Sequence, residues 1–465
     1  MTTHSPSGYR RELVRALAHG FAPAGLHATE DGGVVRAVLV SPDGDVRIES
    51  VAARDGAVPT IVDRAPAMAW DEREAFDQYG VRFSGHEPLR ALARHDGELS
   101  RWTVPVRGDG PYQVAVGPIH AGVIESGHFR FHVVGDRILH VDVRLFYKHR
   151  GLERAAAGRS LRDALAVVSR SCAACAVANG VAYAQACEEA LGDAATQELA
   201  RARTILLELE RGWNHLNDIA AVCAGVGLAA GFTRFAGLCE RMRRLNAALT
   251  GHRFLFGTVE VGRSVLELDA ATANAARAEL REVGAEARSA WRELQFNASF
   301  QDRLPDIGVV DAAAVSRLGT VGPAARAAGV RADLRSASPG LAYEGFEPVV
   351  PERAEGDVQA RLEQRGLELR QTLEVLDGLL GRALRPARAE PAGNGGPIGV
   401  GRVESPRGAT LCVVERSDER LDRVRLRTGS YANWPSVAHA AIDNLLPDFP
   451  LINKSFELCY ACADR

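Results

Sequence analysis

An α+β fold is predicted, with a small mixed N-terminal domain followed by a mainly α-helical body that carries a minor β element. Three observations carry the prediction. β-branched runs broken by Gly and Asp turns follow a first short amphipathic stretch. A segment around residues 112–143 alternates as strands do. Most of the remaining chain consists of long Ala/Leu/Arg-rich stretches with apolar residues at helical spacing.

Residues 8–95 form the expected N-terminal domain. RRELVRALAHGF reads as a helix, and GGVVRAVLVS and GDVRIESVAA read as strands. After Pro66, WDEREAFDQYGVRFSGHEPLRAL places charged and apolar residues at helical spacing and then turns at Gly80 and Gly85. ARHDGELSR is expected to link this domain to a second one over 110–465. There YQVAVG, HFRFHVV and RILHVDVRLFY read as strands. LRDALAVVSRS, AQACEEALG, ELARARTILLELERGWNHL and FAGLCERMRRLNAAL read as helices, as do residues 270–296 and 357–384. The Pro/Gly/Ala-rich piece RPARAEPAGNGGPIG interrupts them before a β-like GATLCVVER. No repeat occurs at solenoid periods.

The 465 residues carry a net charge of -3, with Arg and Glu dispersed, so no nucleic-acid partner is expected. No run of about eighteen apolar residues occurs, and MTTHSPSGYRRELVRAL lacks the apolar stretch of a secretory signal. A cytoplasmic chain is expected, with any membrane link made through partner subunits.

The eight cysteines are Cys172, Cys175, Cys187, Cys223, Cys239, Cys412, Cys459 and Cys462. Without an export signal, metal or redox chemistry is favoured over disulfides. Four fall into CxxC pairs: Cys172/Cys175 in SRSCAACAVANG, and Cys459/Cys462 in SFELCYACADR. On a helix, the i, i+3 spacing puts both thiols of the first pair on one face. Soft thiolates suit nickel, zinc or iron-sulfur centres, and a helix N-terminus lowers the cost of deprotonation. Three readings follow. A structural zinc usually draws both pairs from a compact segment. A thioredoxin-like pair needs a βαβ context absent here. The third reading is a buried catalytic metal held between two distant segments.

Several stretches, spread over nearly the whole chain, resemble one family, the large subunits of complex I-related (group 4) nickel-iron hydrogenases such as those of formate hydrogenlyase and energy-converting hydrogenases. WDEREAFDQYGVRFSGHEPL looks like the signature of a small complex I subunit fused at the N-terminus of such hydrogenases. GPIHAGVIESGHFRF and YKHRGLER resemble the first large-subunit segments, and GTVGPAARAAGVRADLR with GDVQAR is similar to the quinone-reducing complex I subunit. ESPRG, SYANWP and LCYACADR follow in the family's order. Complex I relatives generally lack the four cysteines, so their presence points to the hydrogenase branch.

The resemblance implies a nickel bound by all four thiolates, with Cys172 and Cys459 terminal and Cys175 and Cys462 bridging to an iron that carries CO and CN. Glu125 matches the proton-transfer glutamate, and Arg407, after Pro406, the arginine over the metal. Asp218 is the candidate carboxylate for that arginine, with a helix-surface or capping role as the alternative. Ser430 is a candidate hydrogen-bond donor to a diatomic ligand, with a turn cap as the alternative. His120 and His128 are expected to support the ligands from behind or to be satisfied core histidines rather than to bind the metal, and His86 is expected to have a structural role in the N-terminal domain. The implied partners are an iron-sulfur small subunit, a ferredoxin-like electron-transfer subunit and membrane-embedded transporter-like subunits. The substrate is H2 or protons, on the cytoplasmic side of the membrane. No C-x2-C-x2-C cluster motif occurs in this chain, which places the iron-sulfur clusters in the partner.

The sequence departs from the family pattern in four places. CAAC stands for CGIC, and Asn179 for a histidine. Glu457 and Leu458 stand for Asp-Pro, and Ser169 for a glutamate. Glu457 keeps the charge one methylene further out. Arg465 stands where the family's maturation cleavage is expected. The alternative functions are a complex I-like NADH-quinone oxidoreductase subunit with a quinone site, and a non-catalytic assembly scaffold.

Overall fold

The computed structural model describes residues 3–53, 57–95, 102, 104–120, 125–337 and 340–465. It is α+β, with several small sheets around a helical body. Residues 96–101 of the expected linker and 121–124 of GPIHAGVIESGHFRF lie outside the described residues.

The N-terminal helix Pro6–Ala18 starts at Ser5, whose side chain accepts from the Gly8 N–H, and buries Tyr9, Leu13 and Ala16. These residues share an apolar core with strands Ala22–Ala28, Val34–Val40 and Val46–Ala52. The three strands pair antiparallel in sequence order, and Thr3–His4 adds parallel to the last of them. The following helix, Ala69–Tyr79, ends at Gly80, which takes the left-handed conformation at φ 72. Its Asp71, Glu72, Glu74 and Asp77 are all buried, which charged residues tolerate only when paired. Glu72 accepts from Thr60 (2.6 Å) and the Ile61 N–H (2.9 Å) and is hydrogen-bonded to His86 (2.8 Å). Asp77 accepts the backbone N–H groups of Leu92, Ala93 and Arg94. Asp71 and Glu74 face the rest of the molecule.

The body begins with an antiparallel meander, Tyr112–Val116, His128–Val134 and Arg137–Arg144. Its Phe129 and Phe131 pack edge-on against Phe449. The helix Gln197–Gly225 is the body's axis and is buried on almost every face, as a central helix is. Helices Ala229–Thr250, Val358–Leu379 and Phe449–Phe456 pack around it, and Ala270–Gln295 adds an outer layer.

A third sheet closes the fold: Ile398–Ser405, Gly408–Ser417 and Arg420–Arg427, all antiparallel. Helix Ala176–Leu191 lies directly on its first strand. A Cβ on Gly399 would meet the Ala186 carbonyl oxygen at 2.0 Å, and one on Gly401 the Ala182 oxygen at 1.8 Å, so only glycine permits this approach. Of this sheet, GATLCVVER is the part that is legible as β in the sequence. The first strand begins at the end of the Gly-rich interruption, with Ile398 and Gly399, and carries on through VGRVES, which has no strand alternation of its own. The third carries Arg423, Arg425 and Arg427, all buried, where apolar residues would have marked a strand. No helix among the described residues is long and apolar enough to cross a membrane.

Candidate metal centre

The two CxxC pairs meet. The sulfurs of Cys172, Cys175, Cys459 and Cys462 all lie within 4.8 Å of one another, and all four residues are buried. Each pair stands at the start of a helix. Helix Leu161–Ser169 ends at Arg170, the chain turns, and Cys175 caps helix Ala176–Leu191. The expectation that Cys172 and Cys175 share a helix face is therefore corrected: the pair occupies the turn before the helix. The turn leaves the Ala174 N–H free to donate to Cys172 Sγ (3.2 Å), whereas a helical N–H in mid-helix is committed to the carbonyl four residues back. Cys459 caps the short helix Tyr460–Asp464 in the same way, after Glu457 turns the chain in the left-handed region at φ 48.

Hydrogen bonds from Cys172, Cys175 and Cys462, followed by the charge of Arg407, hold the Cys459 thiol well below its usual range. Cys175 and Cys462 are pushed well above it, first by hydrogen bonding to Cys172. Cys459 is thus the thiol of the four that gives up its proton most readily. A soft cation displaces such protons when it binds.

Arg407 reaches the cluster from a two-residue turn, Pro406–Arg407, between paired Ser405 and Gly408. Asn433 locks the turn by donating to the carbonyls of Arg407 and Val321, each at 3.0 Å. Gly408, at φ 116, passes so close to Gly322 that a Cβ would lie 2.7 Å from its nitrogen. The Arg407 guanidinium donates to both carboxylate oxygens of Asp218, Nη2 at 2.9 Å from Oδ1, and to Asn214 Oδ1 at 3.1 Å. Asp218 is fully buried and also accepts from Arg365 Nη1 at 2.6 Å. Burial opposes the charge on Arg407, but Asp218 and then Cys459 outweigh it and keep the guanidinium protonated.

Glu125 is half-buried, and its Oε2 accepts the N–H groups of Tyr460 (2.5 Å) and Ala461 (3.1 Å), the two residues between the tail cysteines. Burial, then the charge of Cys459, raises its pKa. Glu457 is half-buried, accepts from Asn217 Nδ2 at 3.4 Å, and is pushed up to about 7 by burial and then by Asp218. Ser430 Oγ accepts the Cys459 N–H at 3.1 Å. Asn179 donates to Ser171 Oγ (2.7 Å), and its Nδ2 lies 3.8 Å from Cys462 Sγ. The histidines stand apart from the sulfur cluster: His120 bonds the Gly127 carbonyl, His128 that of Gly117, and His86 bonds Glu72.

Two residues of the site were not singled out from the sequence. Glu210, fully buried, accepts the first-turn N–H groups of Val177 (2.6 Å) and Ala178 (3.0 Å), and burial pushes it up to about 8. Asn214 donates to the Ala174 carbonyl at 2.8 Å and so ties the CxxC turn to the long helix. The available signal was spacing: Glu210, Asn214 and Asp218 recur every four residues and share one helix face.

Residues 25–115 match the family model for the respiratory-chain NADH dehydrogenase 30 Kd subunit, and residues 225–392 that for the 49 Kd subunit. The chain is 30% identical over 464 residues to formate hydrogenlyase subunit 5 of Escherichia coli (strain K12), covering 90% of this chain and 79% of that protein. It is 29% identical to hydrogenase-4 component G of the same organism, covering 88% of this chain and 76% of that protein. A chain in the structure of the membrane-bound sulfane sulfur reductase, an archaeal respiratory membrane complex, superposes with a TM-score of 0.70 at 24% identity. The match covers 78% of this chain and 100% of that chain, and it is a likeness of fold.

Proposed function

The chain belongs to the family of formate hydrogenlyase subunit 5, oxidoreductase large subunits of the group 4 hydrogenase type built from 30 Kd-like and 49 Kd-like parts, and from that premise we propose that it is the catalytic subunit of a nickel-iron hydrogenase. It interconverts H2 with protons and electrons and passes the electrons to an iron-sulfur small subunit. The carrying observation is the convergence of four buried cysteine sulfurs within 4.8 Å, from segments nearly three hundred residues apart.

The donor set suits the group. Four soft sulfurs, those of Cys172, Cys175, Cys459 and Cys462, would hold a nickel-iron centre whose iron carries CO and CN. When bound, the metal pair supplies redox chemistry and an open position for H2. Glu125 holds a proton at its carboxyl, beside the backbone of the tail pair, and exchanges it with a cysteine sulfur. Arg407 sets a permanent positive charge over the cluster, Asp218 fixes its direction, and Pro406 fixes the turn that delivers it. Ser430 orients Cys459 by accepting its N–H and would be the hydrogen-bond donor to a diatomic ligand. Glu457 supplies a second carboxylate beside Asp218.

Residues 8–95 act as a docking domain and 110–465 as the catalytic one. A ferredoxin-like electron-transfer subunit and membrane-embedded transporter-like subunits complete a complex in which this chain is peripheral, on the cytoplasmic side. The 49 Kd match favours one second reading, a complex I-like subunit with a quinone site.

The test is metal analysis and infrared spectroscopy of the complex purified with its partners. Stoichiometric nickel and iron with CO and CN bands are expected, and Cys459→Ser abolishes nickel retention. Quinone reduction without nickel or hydrogen-dependent dye reduction favours the second reading. Zinc alone, or no metal and no turnover, leaves an assembly scaffold.

A further inference from the structure

The WDEREAFDQYGVRF segment lies far from the cysteines in sequence, and nothing in the proposed chemistry uses its acids. Yet Glu74, on helix Ala69–Tyr79, is buried and receives Arg465 Nη2 on both carboxylate oxygens, at 2.7 and 2.6 Å. Arg465 stands three residues beyond Cys462, on the same short tail that carries Cys459. Its Nη1 also donates to the Leu426 carbonyl at 2.7 Å and lies 3.4 Å from Glu153.

Glu74 is simultaneously the partner of Arg425, and Asp71 beside it pairs with Arg425 and Arg427. The cluster therefore balances three guanidiniums, Arg425, Arg427 and Arg465, against three carboxylates, Asp71, Glu74 and Glu153. Two of the three negative charges come from the N-terminal unit. Without them, Glu153 would be the one paired carboxylate among the described residues left to face three buried cations on the sheet and tail, an arrangement that burial penalises heavily. On its other side the tail is held by Asp464, which accepts the N–H groups of Phe146 (2.7 Å) and Lys148 (2.9 Å).

We propose that the N-terminal unit is a latch for the metal-binding tail: Glu74 is a positioning residue that fixes Cys459 and Cys462 through its ion pair with Arg465. The inference rests on the proposed function only in taking those two cysteines as metal ligands. Glu74 touches neither the sulfurs nor a substrate. It sets where the second pair can be.

The test is hydrogen exchange on the full chain without metal, so the latch is judged independently of whether nickel binds. Glu74→Gln keeps the side-chain volume and removes one of the three negative charges. Amides of residues 461–465 are expected to exchange at least about tenfold faster, while those of helix Gln197–Gly225 keep their protection. Glu72→Gln is the control for general loosening, since Glu72 bonds Thr60, Ile61 and His86 and not the tail. Adding Arg465→Gln to Glu74→Gln is expected to loosen the tail less than the two separate effects combined, because each removes the same contact. In the complex purified with its partners, Glu74→Gln lowers nickel content per chain in parallel. Unchanged tail exchange in Glu74→Gln, or equal loosening by Glu72→Gln, would overturn the proposal.

Discussion

Asp218→Asn is the perturbation whose cost the geometry defines most sharply. Asp218 is fully buried and is shared between Arg407, which grips both its oxygens, and Arg365, which also donates to the carbonyls of Ser455 and Phe456. Asparagine keeps the shape but removes the charge and turns an amide N–H toward guanidinium donors. Breaking a buried pair from one side costs about 3–5 kcal/mol, because the surviving charge stays buried and unpaired. With an unfolding entropy near 2.1 cal/mol/K per residue, the 465 residues give about 1 kcal/mol/K, so Tm should fall by about 3–5 °C. Scanning calorimetry of the full chain measures this. The double variant Asp218→Asn/Arg407→Gln should lose less than the two single losses combined, since the second change removes one of the stranded cations. A Tm drop below about 1 °C for Asp218→Asn, or strict additivity in the double variant, would refute the account of Asp218 as the shared counter-ion.

Two further outcomes follow from the site and the interface. Glu125→Gln should retain metal while slowing hydrogen turnover by about 10²–10⁴-fold. Because the carboxyl pKa is raised, the pH limb it controls lies above the ordinary carboxylate range and disappears in the variant, as dye-reduction rates against pH would show. His27 is buried in the N-terminal unit, and its Nε2 lies 3.0 Å from Glu415 of the third sheet. Burial lowers its pKa below 6.5, so the unfolded chain takes up a proton there that the folded chain resists. Stability is thus full above pH 6.5 and declines as pH falls toward the folded pKa, by the slope of one proton. His27→Gln should flatten that part of a Tm-against-pH curve, and an unaltered curve would count against burial of the neutral ring.

The sequence made the helices legible because their apolar faces repeat locally, as in ELARARTILLELERGWNHL. It also showed the four cysteines and ESPRG, whose chemistry is marked by residue type. It did not show that Cys172 and Cys175 occupy a turn, because a CxxC spacing fits a helix face and a pre-helical turn equally well. Glu210 reads as one more charged residue on an amphipathic helix until the start of helix Ala176–Leu191 is seen to rest on it. The last strand, RLDRVRLR, hid its burial behind arginines whose counter-ions lie some 350 residues earlier. Long-range charge pairing leaves no periodic trace in a single chain, whereas burial of hydrocarbon does.

The bare backbone at Gly399 and Gly401 acts as a gauge block beneath the helix that Cys175 caps. With carbonyls 1.8 and 2.0 Å from where side chains would begin, any thicker residue must lift the helix and carry its sulfur away from the tail pair. Tolerance for error at the cysteine cluster is thereby set by two positions that offer no functional group at all, and a survey of variants for lost metal retention should find them among the least forgiving.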